Sequence, residues 1–260
     1  MAATTGGDAP PSEKSSETPS PRYLLTQYRL CPHSRSIRLA LAELGIEPHL
    51  VEERPWEARP ELLALNPSGE LPVLEIEGGL VLAGAYSISE YLGETQSAHR
   101  AGEPAPGDDL PTGPLLFSGL PVERAEVRRL TDWFHNKLFR DVTRELLSEK
   151  VYARLAAGGP ISPDPETLRA VRANLRYHLS YIGHLADRRN WLAGNALSFA
   201  DLAAGAHLSS IDYLGDVPWE YFPSAKSWYQ RLKSRPSFRS LLADRLPGTP
   251  PAECYADLDF

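Results

Sequence analysis

The stretch that most constrains this chain is residues 66–75, Asn-Pro-Ser-Gly-Glu-Leu-Pro-Val-Leu-Glu. A Pro-Ser-Gly turn leads into residues 71–74, which have the apolar character of a buried strand start. Pro72 cannot donate to a strand ladder, so it must lie at a strand entrance, an edge or a bulge. Proline is also the residue type that tolerates a cis peptide bond. With a cis bond, the Val73 amide and the Leu71 carbonyl would point outward and could pair with an extended ligand. A plain tight turn without a ligand is the alternative.

Composition excludes several classes of protein. The chain has 260 residues, 42% of them hydrophobic and 23% charged, as in ordinary globular proteins of one or two domains. Its formal net charge of -7 argues against a nucleic-acid partner. No apolar run approaches the roughly 20 residues of a membrane span, and no secretory signal is expected. Cys31 and Cys254 are too far apart in sequence to suggest a disulfide framework, so a cytoplasmic setting is expected.

Apolar periodicity and turn signals predict an α/β domain over residues 22–95. Before it lie residues 1–21, rich in Ala, Thr, Ser, Gly and Pro, which are predicted to be disordered. The predicted order is βαβαββα, with a parallel crossover first and an antiparallel hairpin second. These elements are predicted at residues 23–28, 31–44, 47–52, 59–65, 73–76, 80–82 and 86–92.

The remainder of the chain is predicted to be helical. Residues 96–120 carry repeated Pro and Gly and are predicted to be a linker. An all-α domain over residues 121–247 follows, with apolar residues at helical spacings. Within it, Ser198 and Asp201 form a predicted capping box, a structural feature of a helix start. Residues 248–260 form a tail that mixes acidic and apolar side chains.

Cys31 is the candidate catalytic residue. It precedes a helix whose N-terminal partial charge favours a thiolate, in the sequence Cys-Pro-His-Ser. A thiolate there could attack a disulfide or hold a mixed disulfide with glutathione. The alternative is an inert, partly buried cysteine, in which case no catalytic residue is expected. No metal site is expected.

Two elements are candidates for binding a protein partner. Trp56 lies in a loop with charged neighbours, where a tryptophan either fills a crevice of its own fold or anchors a partner. The tail ends in Asp257, Leu258, Asp259 and Phe260. Apolar groups gain nothing from exposure to water. The tail is therefore expected either to pack on its own domain or to dock on another protein.

Together these residues are similar to the glutathione S-transferase superfamily, over about residues 22–247. The most specific matches are residues 66–74 and the capping box. The resemblance implies a thioredoxin-like N-terminal domain joined to an all-α C-terminal domain. It also implies that Pro72 is cis and that Val73 pairs with the backbone of glutathione.

Two positions depart from the pattern of that superfamily. Its members usually carry an acidic residue and a Ser or Thr that hold the γ-glutamyl group of glutathione, and this chain has Gly84 and Ala85 there. Each lost charge-assisted hydrogen bond is worth roughly 1.5–3 kcal/mol. With Cys31, Pro72 and Val73, these two residues are therefore interpreted as a remnant of a glutathione site.

Motifs of the helical half resemble, more narrowly, a bacterial cell-division branch of the superfamily. They include residues 191–194, residues 215–219 and the Asp-Leu-Asp-Phe ending. The resemblance implies a homodimer at the division site that binds filaments of the tubulin-like protein FtsZ and promotes their curvature and constriction. Such a regulator is non-enzymatic and needs no cofactor. The alternative is a thiol transferase or glutathione S-transferase that uses Cys31 and binds glutathione.

Overall fold

Four strands form a mixed sheet in the N-terminal part of the chain. The computed structural model describes residues 22–101, 114–159 and 161–259. The strands are β1 (Tyr23–Gln27), β2 (His49–Glu52), β3 (Val73–Ile76) and β4 (Leu80–Ala83). Their order in the sheet is β2-β1-β3-β4, parallel between β1 and β2 and antiparallel elsewhere. The buried residue Leu25 pairs with Leu50 on one side and with Leu74 on the other.

Within the described residues, three α-helices complete this domain. They are α1 (Pro32–Glu43), α2 (Pro60–Leu65) and α3 (Ala85–Arg100). The order is βαβαββα, so the predicted α/β fold class is confirmed. Proline stands at the first position of α1 and α2, where its missing amide hydrogen costs the helix nothing.

The C-terminal domain is built from helices that surround one buried helix. Its helices are α4 (Pro121–Asp132), α5 (Arg144–Leu147), α6 (Ala153–Ala157), α7 (Pro165–Ala186), α8 (Phe199–Tyr213), α9 (Pro223–Lys233) and α10 (Arg239–Leu242). π-Helical stretches at Trp133–Thr143 and Ser148–Tyr152 join α4, α5 and α6 into one continuous helix. All 15 residues of α8 are buried, so α8 is the centre of the helical domain. Among the described residues, none of the helices is long and apolar enough to cross a membrane.

The helix predicted at residues 86–92 is longer than expected. It extends to Arg100, past residue 96 where the predicted linker begins. Gln96 explains the extension, because its buried side chain donates to the Pro114 carbonyl at 2.9 Å and accepts from the Leu116 amide at 3.3 Å. The head predicted to be disordered, residues 1–21, lies outside the described residues, as do linker residues 102–113.

A buried guanidinium joins the two domains. Arg35 of α1 is fully buried and donates to the hydroxyls of Ser209 (2.8 Å) and Tyr255 (3.0 Å). It also forms a salt bridge with Asp244 (3.3 Å), which Arg38 reaches as well (2.8 Å). A buried charge is tolerated only when such partners surround it. These contacts therefore set how α1 lies against α8 and the C-terminal segment.

The predicted capping box is present at the start of α8. The Asp201 carboxylate accepts from the Ser198 amide (3.1 Å) and hydroxyl (3.0 Å). It also accepts from the Leu192 amide (2.8 Å) and the Trp228 indole (3.0 Å), two contacts that the capping-box pattern does not predict. Burial raises the pKa of Asp201, while these donors act in the opposite direction. Asp201 thus links α8 to the preceding loop and to α9 by hydrogen bonds.

We expect Asp201→Ala to lower the free energy of unfolding by about 2–3 kcal/mol, because it removes the cap and leaves buried donors without an acceptor. Chemical denaturation followed by circular dichroism measures this loss. Asp187→Asn, at an exposed aspartate that follows α7, is the control and should change stability by less than about 0.5 kcal/mol. Equal stability of the two variants would contradict the role given to Asp201.

Candidate functional site

The turn at residues 66–72 lies beside the start of α1, where the resemblance places a groove for glutathione. The Asn66 side chain donates to the Glu70 carbonyl (2.8 Å) and accepts from the Ser68 amide (3.2 Å). The peptide bond between Leu71 and Pro72 is cis, as the resemblance implies. Pro72 directly precedes β3, which is the strand-entrance position expected for a proline there.

Cys31 lies beside this turn, at the residue before α1. Its side chain is half-buried, and Sγ lies 4.0 Å from the Leu71 carbonyl oxygen. The Leu71 carbonyl, which a cis bond was expected to leave free for a ligand, therefore lies within reach of a weak hydrogen bond from the Cys31 thiol. Burial raises the pKa of Cys31 and outweighs the hydrogen bonds from Ser34 and His33, which lower it. Desolvation therefore acts against the thiolate that the start of the helix was expected to favour.

An aromatic cluster covers the same groove. The Trp56 ring packs edge-on against Tyr28 at 5.1 Å and lies 5.2 Å from Tyr152 of the long helix. Trp56 is half-buried, so it fills a crevice of its own fold and keeps part of its ring exposed. The Tyr28 hydroxyl is buried and finds no hydrogen-bond partner among the described residues. Burial, the largest cause, raises the pKa of Tyr28 well above its ordinary value, so it is a neutral hydroxyl.

The turn from β4 into α3 lies next to Pro72, whose carbonyl accepts from the Gly84 amide at 2.9 Å. Gly84 has a φ of +85°, a conformation that side-chain-bearing residues rarely adopt. Ala85 is buried at the first position of α3. The Ser87 hydroxyl donates to the carbonyls of Ala83 and Gly84 (3.0 Å to the latter). Ser87 is therefore engaged with its own backbone, and neither Gly84 nor Ala85 offers a polar side chain to a ligand.

The predicted partner-binding tail divides into a buried and an exposed part. Tyr255 is fully buried in a short 3-10 turn, Glu253–Ala256. Asp257, Leu258 and Asp259 follow it and are exposed, with Leu258 at 40%. Phe260 lies outside the described residues. The tail thus packs on its own domain at Tyr255, and the next three side chains remain accessible, so docking on another protein stays a prediction.

One cluster near the groove was missed by the sequence reasoning. His33 of α1, His135 of the long helix and His207 of α8 bring potential ligand nitrogens within 4.8 Å of one another. Their spacing in sequence follows no metal-binding motif. Only the packing of α1 on the helical domain brings them together.

Comparison with known proteins identifies the family. Models of the glutathione S-transferase N-terminal and C-terminal domains match residues 30–95 and 152–236. FtsZ-localized protein A of Caulobacter vibrioides is 46% identical over 239 residues, which is 91% of this chain and 97% of that protein. The chain belongs to the glutathione S-transferase superfamily.

Two solved structures of this superfamily match nearly the whole chain. FzlA from C. crescentus is 46% identical, with a TM-score of 0.82, and the match covers 92% of this chain and 100% of that one. A glutathione S-transferase from Sinorhizobium meliloti 1021 is 45% identical, also with a TM-score of 0.82, over 92% and 99% of the two chains. The predicted glutathione S-transferase fold is confirmed.

This glutathione S-transferase-like chain keeps the backbone that is expected to bind glutathione. It lacks polar side chains at positions 84 and 85. The cis Pro72 and the β3 strand are in place. Gly84 and Ala85 supply no charge or hydroxyl, and the Cys31 thiol is protonated more firmly than a free cysteine. Because the Tyr28 hydroxyl is buried, the groove offers a ligand mainly backbone groups, and it is poorly equipped for thiolate chemistry.

Proposed function

We propose that this protein is a non-enzymatic cell-division regulator that binds FtsZ filaments and promotes their curvature and constriction. The observation that carries the proposal is the 46% identity to FtsZ-localized protein A across nearly the full length of both chains. Identity spread over two domains argues for a shared surface as well as a shared fold. The protein would therefore act at the division site.

The chemistry of the groove supports a binding role over catalysis. A glutathione transferase needs side chains that hold a charged tripeptide, and residues 84 and 85 have none. A reactive cysteine needs a lowered pKa, whereas burial raises that of Cys31. The function is then expected to depend on binding by residues at the outer surface.

Assembly as a homodimer would explain how a small protein bends a polymer. Two copies of one binding surface, held together, convert the second contact with a filament into an intramolecular event. Such a dimer can bridge neighbouring filaments or two positions along one of them. We propose the exposed tail and Trp56 as contact elements, since both combine an apolar group with charged neighbours at the surface.

Cosedimentation with FtsZ is the direct test. We expect this protein to pellet with FtsZ in GTP, where filaments form, and to stay in the supernatant with FtsZ in GDP. Electron microscopy of the same samples should show filaments more curved than those of FtsZ alone. A glutathione S-transferase of low identity to this chain serves as the control for trapping. Equal pelleting in GTP and GDP, with polymer verified, would contradict the proposal.

A glutathione-dependent thiol transferase is the second candidate, favoured by the position of Cys31 beside the cis Pro72. It predicts retention on glutathione-agarose and reduction of mixed disulfides that Cys31→Ser abolishes. The first proposal expects little retention. Strong retention together with activity dependent on Cys31 would establish the enzyme, whereas activity unchanged in Cys31→Ser would exclude this role for the thiol.

A further inference from the structure

Three histidines from three separate helices converge at the boundary between the two domains. His135 and His207 are fully or nearly fully buried, and His33 is half-buried. The His33 ring lies 4.6 Å from that of His135 and 5.6 Å from that of His207, measured between centroids. Phe139 packs edge-on against His33 at 4.7 Å. The cluster is thus enclosed on one side by apolar surface.

Hydrogen bonds indicate which ring nitrogen carries the proton in His33 and in His135. His33 Nε2 donates to the His135 carbonyl at 3.1 Å, so the His33 Nδ1 atom of the neutral ring carries a lone pair. The Ser36 hydroxyl donates to the His33 carbonyl (2.8 Å), so it accepts from His135 Nε2 (3.2 Å). The His135 Nδ1 atom therefore carries a lone pair as well.

The third ring completes the arrangement. His207 Nδ1 lies 2.9 Å from the Thr143 hydroxyl, and its Nε2 lies 3.2 Å from His135 Nδ1. Because His135 Nδ1 accepts, His207 Nε2 donates to it in the metal-free protein and His207 Nδ1 accepts from the Thr143 hydroxyl. A metal ion would replace the bond between the two rings, with His207 Nδ1 then donating to Thr143 and Nε2 offering its lone pair to the metal. In that form His135 and His207 each have one nitrogen held by an outer partner and one available to a metal, which is the pattern of histidine ligands at metal sites. His33 supplies the third ligand, since one nitrogen of each ring lies within 4.8 Å of the others.

The spacing of the rings suits zinc. Tetrahedral zinc with metal–nitrogen bonds of about 2.0–2.1 Å separates its ligand nitrogens by roughly 3.3 Å, close to the 3.2 Å between His135 and His207.

We propose that His33, His135 and His207 form a zinc-binding site that links the thioredoxin-like domain to the helical domain. The ligand atoms are Nδ1 of His33, Nδ1 of His135 and Nε2 of His207, and water takes the fourth position. The His33 ring stacks on His135 at an angle of 28°, so it must tilt for both to bind one ion. Imidazole nitrogens select zinc, copper, nickel and iron over magnesium and calcium.

The metal content of the untagged protein tests the site. After removal of metals with a chelator, zinc chloride should bind near one ion per chain by calorimetry. At free zinc about a hundredfold above the dissociation constant, the melting temperature should rise by about 5–10 °C. His33→Gln should weaken binding at least about tenfold. His49→Gln, at an exposed histidine of β2, is the matched control and should bind zinc unchanged.

Cobalt provides a readout that does not depend on a variant folding. Co²⁺ bound to three imidazoles and water in the wild-type protein should give the intense visible absorption of tetrahedral coordination, which added zinc abolishes. Absence of that spectrum together with a melting shift below about 1 °C in zinc overturns the proposal. Zinc binding that is equally tight in wild type and in a folded His33→Gln protein overturns it as well.

Discussion

Tyr255→Ala is expected to lower the free energy of unfolding by about 3–5 kcal/mol, as removal of a fully buried aromatic side chain does. The Tyr255 ring packs edge-on against Tyr213 of α8 at 5.1 Å. Its hydroxyl donates to the Leu241 carbonyl (2.9 Å) and accepts from Arg35 (3.0 Å). The substitution therefore opens a cavity and also weakens the contact between the domains. Urea denaturation of wild type and variant measures the loss.

Tyr255→Phe separates the packing contribution from the hydrogen bonds. It keeps the ring but leaves the Leu241 carbonyl without that donor and Arg35 without one of its acceptors. We expect a loss of about 1–3 kcal/mol, smaller than that of the alanine variant. A Tyr255→Ala protein as stable as wild type would contradict the placement of this residue in the core.

Removing residues 257–260 is expected to abolish the effect on FtsZ filaments and to leave the fold intact. Asp257, Leu258 and Asp259 are exposed, whereas Tyr255 and its contacts remain in the shortened chain. Loss of exposed side chains should change stability by no more than about 0.5 kcal/mol. Cosedimentation and electron microscopy with FtsZ and GTP measure the function, and thermal unfolding measures the fold.

A chain in which Gly-Ser-Gly-Ser replaces residues 257–260 is the length-matched control. It should fail with FtsZ in the same way, because the proposal assigns binding to the side chains rather than to the length of the tail. Wild-type remodelling of filaments by either altered chain would remove the tail from the contact surface. Comparison with Tyr255→Ala then distinguishes a lost contact from a destabilised protein.

Local chemistry made much of the fold predictable. The Pro-Ser-Gly turn, the apolar periodicity of residues 22–95 and the capping box at Ser198 are short-range signals, so the predicted βαβαββα order and the predicted start of α8 were correct. The predicted end of α3 was wrong, because the Gln96 side chain forms hydrogen bonds with residues 114 and 116, which lie beyond a stretch of Pro and Gly. Nothing near Gln96 in sequence carries that information.

The backbone of the groove could be predicted from the sequence, whereas the protonation and packing of its side chains could not. The cis proline and the residues at positions 84 and 85 follow from the sequence and its resemblance to the superfamily. The protonation of Cys31 does not, because it depends on how deeply the thiol is buried by neighbouring elements. The same holds for Trp56, whose crevice is formed by Tyr28 and by Tyr152, which lies far along the chain.

By itself the sequence determined the order of the elements, the turn that positions Pro72 and the absence of polar side chains at positions 84 and 85, because each depends on adjacent residues. Only the tertiary structure decided which polar groups lose their water and which distant side chains meet. Packing of α1 on the helical domain buries Arg35 and brings His33 to His135 and His207, and burial raises the pKa of Cys31. Desolvation and proximity arise from that packing, and no local pattern of residues encodes them.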